Sequence, residues 1–79
     1  MNDYQTNLST VTKILAENLQ IKESEITAEK ELVADLGINS LELADLIMLC
    51  EEKFGIEVDD TKMSKFITLD DFIKYLTEI

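Results

Sequence analysis

Ser40 is the residue around which chemistry could be built. It stands in the run Asp35-Leu36-Gly37-Ile38-Asn39-Ser40-Leu41-Glu42, three residues after a glycine and one after a candidate helix cap. A serine in the first turn of a helix, just past a glycine turn, is exposed and faces free backbone N–H groups and the positive end of the helix dipole. That setting suits an attached phosphate and leaves the hydroxyl open to a modifying enzyme. On helix chemistry alone the plainer alternative carries more weight, because Ser and Asn are ordinary residues at helix N-termini. Other site chemistries are closed off. The chain has no histidine, which removes Ser-His-Asp and Cys-His units, HExxH sites and Cys2His2 fingers, and no catalytic residue is expected. Cys50 is the single cysteine, lies beside Glu51 and Glu52 and falls on an apolar stripe, so it reads as a small core residue and not a nucleophile. Paired acids such as Glu51-Glu52 and Asp70-Asp71 have no D-x-D-x-D-G loop around them, and no dedicated metal site is expected.

The elements that must hold Ser40 are legible as helices. Leu8, Val11, Ile14, Leu15 and Leu19 recur at spacings of three and four after Tyr4, predicting a first helix that ends near Asn18 or Leu19, with Asn7, Thr10, Lys13 and Glu17 outward. Gln20 to Asn39 shows no sustained period. It reads as a long acidic connector pinned by Ile21, Ile26, Leu32 and Leu36, with room for a short helical turn. Asn39 with Glu42 three residues on forms a capping box for a second helix whose buried stripe is Leu43, Leu46, Ile47, Cys50 and Phe54, stopped by Gly55. Ile56-Glu57-Val58 is too short for a sheet and is expected to plug the core as an extended connector. A short third helix is expected from about Asp60 to Lys65. Thr68 and Asp71 then cap a last helix with Leu69, Phe72, Ile73 and Leu76 on its apolar face, to about Thr77. The expected fold is all-α: a small four-helix bundle with a long loop between helices 1 and 2 and a short third helix. No proline, repeat or low-complexity run marks a linker, so residues 1–79 are expected to fold as a single domain.

Charge narrows the choice of partner. The 79 residues carry seventeen acids against seven lysines, a formal net charge of -10, and the entire excess falls between Glu23 and Asp60. A polyanion without arginine repels phosphate backbones and anionic lipid, so neither nucleic acid nor stable membrane association is expected; basic proteins are the natural partners. The plain alternative is a solvated, solubilising face. One cysteine and the lack of a basic, apolar leader-like start point to a reduced, cytoplasmic protein.

At these residues the sequence resembles the acyl carrier protein family, whose members carry a 4'-phosphopantetheine arm on a serine in an LGxDSL-like segment at the start of the second helix. Leu36-Gly37, Ser40-Leu41, Glu42 and Asp45, the run Glu51-Glu52-Lys53-Phe54-Gly55-Ile56 and Ile67-Thr68 fall in family order, so the likeness spans nearly the whole chain. It implies a covalent arm from coenzyme A on Ser40, added by a phosphopantetheinyl transferase, and a monomeric carrier of thioester-bound acyl groups. The partners implied are fatty-acid or polyketide synthesis enzymes with basic docking patches, fatty-acid synthesis being the leading pathway. It also implies a partner-binding side of Glu42, Asp45, Met48, Leu49 and Glu52, and an acyl-chain pocket along Leu43, Leu46, Ile47, Cys50 and Phe54, residues that by spacing alone are simply core. Peptidyl carriers fit less well, because Gly37-Ile38 stands where they carry a Gly-Gly pair. One departure concerns the residue before the serine, usually Asp in the family and here Asn39, which keeps a capping oxygen and loses a charge. The rival from another class is an acidic helical interaction module that is never modified.

Overall fold

Asp3 accepts a hydrogen bond from the Gln5 amide and starts α1, Tyr4–Leu19, which ends where Gln20 turns into the left-handed region. The computed structural model describes residues 3–79, and in it α2 spans Ser40–Phe54 and α3 spans Leu69–Glu78. Both carry complete capping boxes, Asn39 with Glu42 and Thr68 with Asp71. Gly55 at φ +67° ends α2, a conformation that a side chain would strain. Two 3-10 helices occupy the connections, Glu23–Glu25 and Asp60–Lys65. Among the described residues the protein is all-helical, with three α-helices, no strand and one isolated bridge between Glu31 and Thr68. None of these helices is long and apolar enough to cross a membrane.

The four-helix expectation needs correction at its third member. Asp60–Lys65 is helical, but it is a 3-10 helix closed by i to i+3 bonds, Lys62 N to Asp59 O at 2.9 Å and Phe66 N to Met63 O at 3.1 Å. Six residues strung between buried Val58 and buried Phe66 are too few to nucleate a stable α-helix, and the tighter winding spans the gap. The outward assignment of Asn7 is also corrected: it is 0% exposed. Its Nδ2 donates to Thr77 Oγ1 at 3.1 Å, and that hydroxyl donates to the Ile73 carbonyl, so a polar contact sits inside the seam between α1 and α3. α1 packs against both α3 and α2, which buries a wider arc than one apolar stripe; Val11 and Leu15 lie at its centre, while Leu8, Ile14 and Leu19 flank it half-buried.

The core joins all three helices and both long connections. Leu32, Leu69, Phe72, Ile73 and Leu76 are fully buried, with Ile26, Ile38 and Val58 brought in from the connecting segments. Phe66 meets Phe72 edge-on at 5.1 Å between ring centres. Ile56 and Val58 enter from an extended segment, which Glu51 and the Tyr75 hydroxyl hold by accepting the amides of Val58 and Asp59 at 2.8 and 3.0 Å.

A second polar fastening joins α1 to α3. The Tyr4 hydroxyl donates to Asp70, whose other oxygen pairs with Lys74 at 3.1 Å. Tyr4 is pushed up to about 12 by burial and by its carboxylate acceptor, so it stays a neutral donor. The Tyr4 hydroxyl, then Lys74, holds the Asp70 carboxyl below its ordinary value of 3.8. A carboxylate lowered in this way stabilises the fold above its unfolded pKa, and loses that contribution as pH falls through the folded value. Asp70→Asn is therefore expected to lower Tm at neutral pH, by an amount that shrinks below pH 3.8 and closes once the wild-type group is protonated. Thermal scans of both proteins across that range check it; a constant offset at every pH would exclude the linkage.

Candidate functional site

Ser40 is exposed and is the first residue of α2. The chain arrives there through Gly37 at φ +70°, where a side chain would be strained, and through Ile38, which is buried and anchored by donating to the Leu32 carbonyl at 3.0 Å. The serine is thus held on a fixed pedestal.

The helix end beneath it is open. A helix leaves its first amides without internal acceptors, and at α3 the connector fills that need: Leu69 N donates to Lys30 O at 3.0 Å and Asp70 N to Ala28 O at 2.8 Å. The equivalent amides of α2 belong to Ser40 and Leu41, and no carbonyl among the described residues comes to meet them. Asn39 Oδ1 accepts only from Glu42, at 2.8 Å. A phosphodiester on Ser40 Oγ would find these two donors and the positive end of the helix beside it.

Two acids of the segment around Ser40 in the sequence, Asp35 and Glu42, are turned to structural tasks. Glu42 accepts the Asn39 amide at 3.1 Å and Asp35 accepts the Glu31 amide at 2.8 Å. Each carboxylate is engaged by the backbone, which tempers the repulsion that a second anion at Ser40 would meet. The residues present therefore fit a phosphate-linked group at this serine.

Glu42, Asp45, Met48, Leu49 and Glu52 are all exposed on α2, and Asp45, Met48, Leu49 and Glu52 border one shallow depression with Asn18. Leu41, which the spacing argument passed over, is 72% exposed beside Ser40. Its signal in the sequence was an apolar residue off the helical stripe.

Of the stripe residues, Leu43, Leu46, Ile47 and Cys50 are buried and Phe54 is half-buried. A cavity of about 180 Å3 opens between α1 and α2, and Leu46 alone of these five borders it. Its other walls are Leu15, Leu19 and Ile38, with Asn18, Glu42 and Asp45 at the polar edge. Sequence periodicity carries no signal for Leu15, Leu19 or Asn18 as cavity walls, since the pairing of α1 with α2 creates it. Burial pushes the Cys50 thiol up to about 12, which leaves it inert at neutral pH. Among the described residues no three His, Cys, Asp or Glu side chains converge as a metal site.

Comparison with known proteins identifies relatives across most of the chain. The family model for the phosphopantetheine attachment site matches residues 9–76. A protein of Thermotoga maritima named acyl carrier protein is 43% identical over 68 residues, 86% of this chain and 84% of that relative. Relatives of the same name from two Helicobacter pylori strains, G27 and ATCC 700392 / 26695, are 38% and 40% identical, over 86% of this chain and 87% of theirs.

The cap is the part of the site that stability can read directly. Asn39→Ala removes the acceptor for the Glu42 amide and is expected to cost about 1 kcal/mol, whereas Asn39→Asp keeps the oxygen and most of the stability. Urea unfolding midpoints of the three proteins test this ordering.

Proposed function

Because this chain belongs to the acyl carrier protein family, whose phosphopantetheine attachment model matches it over most of its length, we propose that Ser40 is its attachment point and that it serves fatty-acid synthesis. The protein is a carrier and not a catalyst. Its cofactor, 4'-phosphopantetheine, supplies a terminal thiol on which acyl groups ride as thioesters. The observation that carries the assignment of Ser40 is the open end of α2: an exposed hydroxyl stands beside two unclaimed amides, on a backbone fixed by Gly37 and Ile38.

The chain's own residues present the hydroxyl and leave the proton transfer to a transferase, since no histidine is available. Glu42, Asp45 and Glu52, with Met48 and Leu49 among them, form the side offered to the transferase and to synthesis enzymes with basic docking patches. Acyl chains shelter against Leu46 and the α1–α2 cavity, where hydrocarbon meets Leu15, Leu19 and Ile38 and no cation waits for a carboxylate. Among the stripe residues, Leu43, Ile47, Cys50 and Phe54 back that shelter from the core. The buried, unpaired thiol of Cys50 supports a monomer working in a reducing cytoplasm.

Incubating the purified protein with its host's phosphopantetheinyl transferase, coenzyme A and Mg2+ should add one arm by intact mass, and Ser40→Ala should abolish the gain. An unchanged mass for the wild type would overturn the carrier assignment at Ser40. On the docking side, Glu42→Lys and Asp45→Lys should each raise the transferase KM for this protein by roughly fivefold at low salt, converging on the wild-type value as salt increases. Equal KM values at low salt would remove both carboxylates from the interface.

A further inference from the structure

The docking side proposed for α2 has a second wall. Beyond the acyl cavity, two further depressions of about 230 and 380 Å3 follow along the seam between α1 and α2, and Asn18 lines both. The two share Asn18, Leu49 and Glu52 and form one groove that runs from Asp45 to Glu52 and Lys53. On the α1 bank, Ile14 and Glu17 face Leu49 and Glu52 across the widest part. The Asn18 side chain is steadied by its Nδ2, which donates to the Ile14 carbonyl at 2.8 Å, and its Oδ1 remains free to accept.

We propose that this α1–α2 groove receives a cationic, amphipathic segment of a partner enzyme, with Glu17 and Asn18 as recognition residues on α1. The inference rests on the carrier reading above and extends its partner surface onto α1. Charge complementarity identifies the occupant. Glu17, Asp45 and Glu52 border the groove against the single lining cation Lys53, and half-buried Ile14 and exposed Leu49 supply an apolar floor between the carboxylates. A lysine or arginine flanked by a leucine-sized side chain satisfies both features at once; an anionic or purely apolar partner satisfies only one or neither. Asn18 Oδ1 adds a neutral acceptor in the middle of the groove, where a guanidinium or ammonium needs a hydrogen-bond partner besides the carboxylates. None of the other six lysines lines the groove: Lys62, Lys65 and Lys74 gather around Phe66 and Tyr75, Lys30 borders a depression with Ile21 and Leu36, and Lys13 and Lys22 are absent from its walls, so the acids that border it outnumber its one lining cation.

Two measurements on the full chain with its host transferase decide the matter. Glu17→Lys is expected to raise the KM for this protein by roughly three- to tenfold at low salt with kcat unchanged, and Glu17→Gln by a smaller factor in the same direction. Neither substitution at this exposed position should alter the far-ultraviolet CD spectrum. In NMR titrations with unlabelled transferase, the amides of Ile14, Glu17 and Asn18 should shift together with those of Asp45 and Leu49. If shifts stay on α2, and both Glu17 variants keep the wild-type KM while Glu42→Lys raises it, the groove proposal is overturned and the carrier reading stands. If Glu42→Lys is also silent and Ser40 gains no arm, the carrier reading itself fails.

Discussion

Everything at the Ser40 end depends on how the long connector is clamped to the start of α3. Leu32 donates to the Ile67 carbonyl at 2.9 Å while Leu69 and Asp70 donate back to Lys30 and Ala28. Leu32 is wholly buried at the centre of the exchange. A segment of this length without regular structure would otherwise be mobile, and its backbone groups would need water. The clamp satisfies the amides of α3, fixes the connector, and through the bond from Ile38 to Leu32 sets the direction in which the chain enters α2. One helix start is filled from within the protein so that the other can be presented, open, to the outside.

α2 then serves two environments. Its inner face, Leu43, Leu46, Ile47 and Cys50, is buried against α1 and the connectors; its outer face carries the acids and the exposed Met48 and Leu49. The net charge of -10 would destabilise so small a fold through self-repulsion if the acids were not spread over solvent and engaged by backbone amides at Asp35, Glu42 and Glu51. Residues 61–79 carry no excess, with Asp70, Asp71 and Glu78 matched by Lys62, Lys65 and Lys74; there Lys74 pairs with Asp70 and the Tyr4 hydroxyl closes the seam to α1. The result is a charge-separated molecule in which the acidic side contains Ser40.

Much of this was legible residue by residue. The capping pairs Asn39-Glu42 and Thr68-Asp71, the stop at Gly55 and the apolar faces of α2 and α3 are local patterns, decided by interactions within a few residues, and they stand as the spacing implied. Asn7 and the Asp60–Lys65 segment went otherwise. Asn7 looks outward on a helix with one buried face, and it is α3 lying over α1 that encloses it and supplies Thr77 as its partner. Asp60–Lys65 is short and rich in Asp, Thr and Ser, and between buried Val58 and buried Phe66 it winds as a 3-10 helix.

The sequence by itself determined where the three α-helices begin and stop and that Ser40 opens the second of them, because caps, periodicity and a glycine turn act within one or two turns of chain. Only the tertiary structure decided that the amides of α2 stay open while those of α3 are filled, and that Asn18 and Glu17 share a groove with Asp45 and Glu52. Those outcomes depend on which distant carbonyl reaches a helix end and on which faces of two helices meet. No spacing along one helix encodes either.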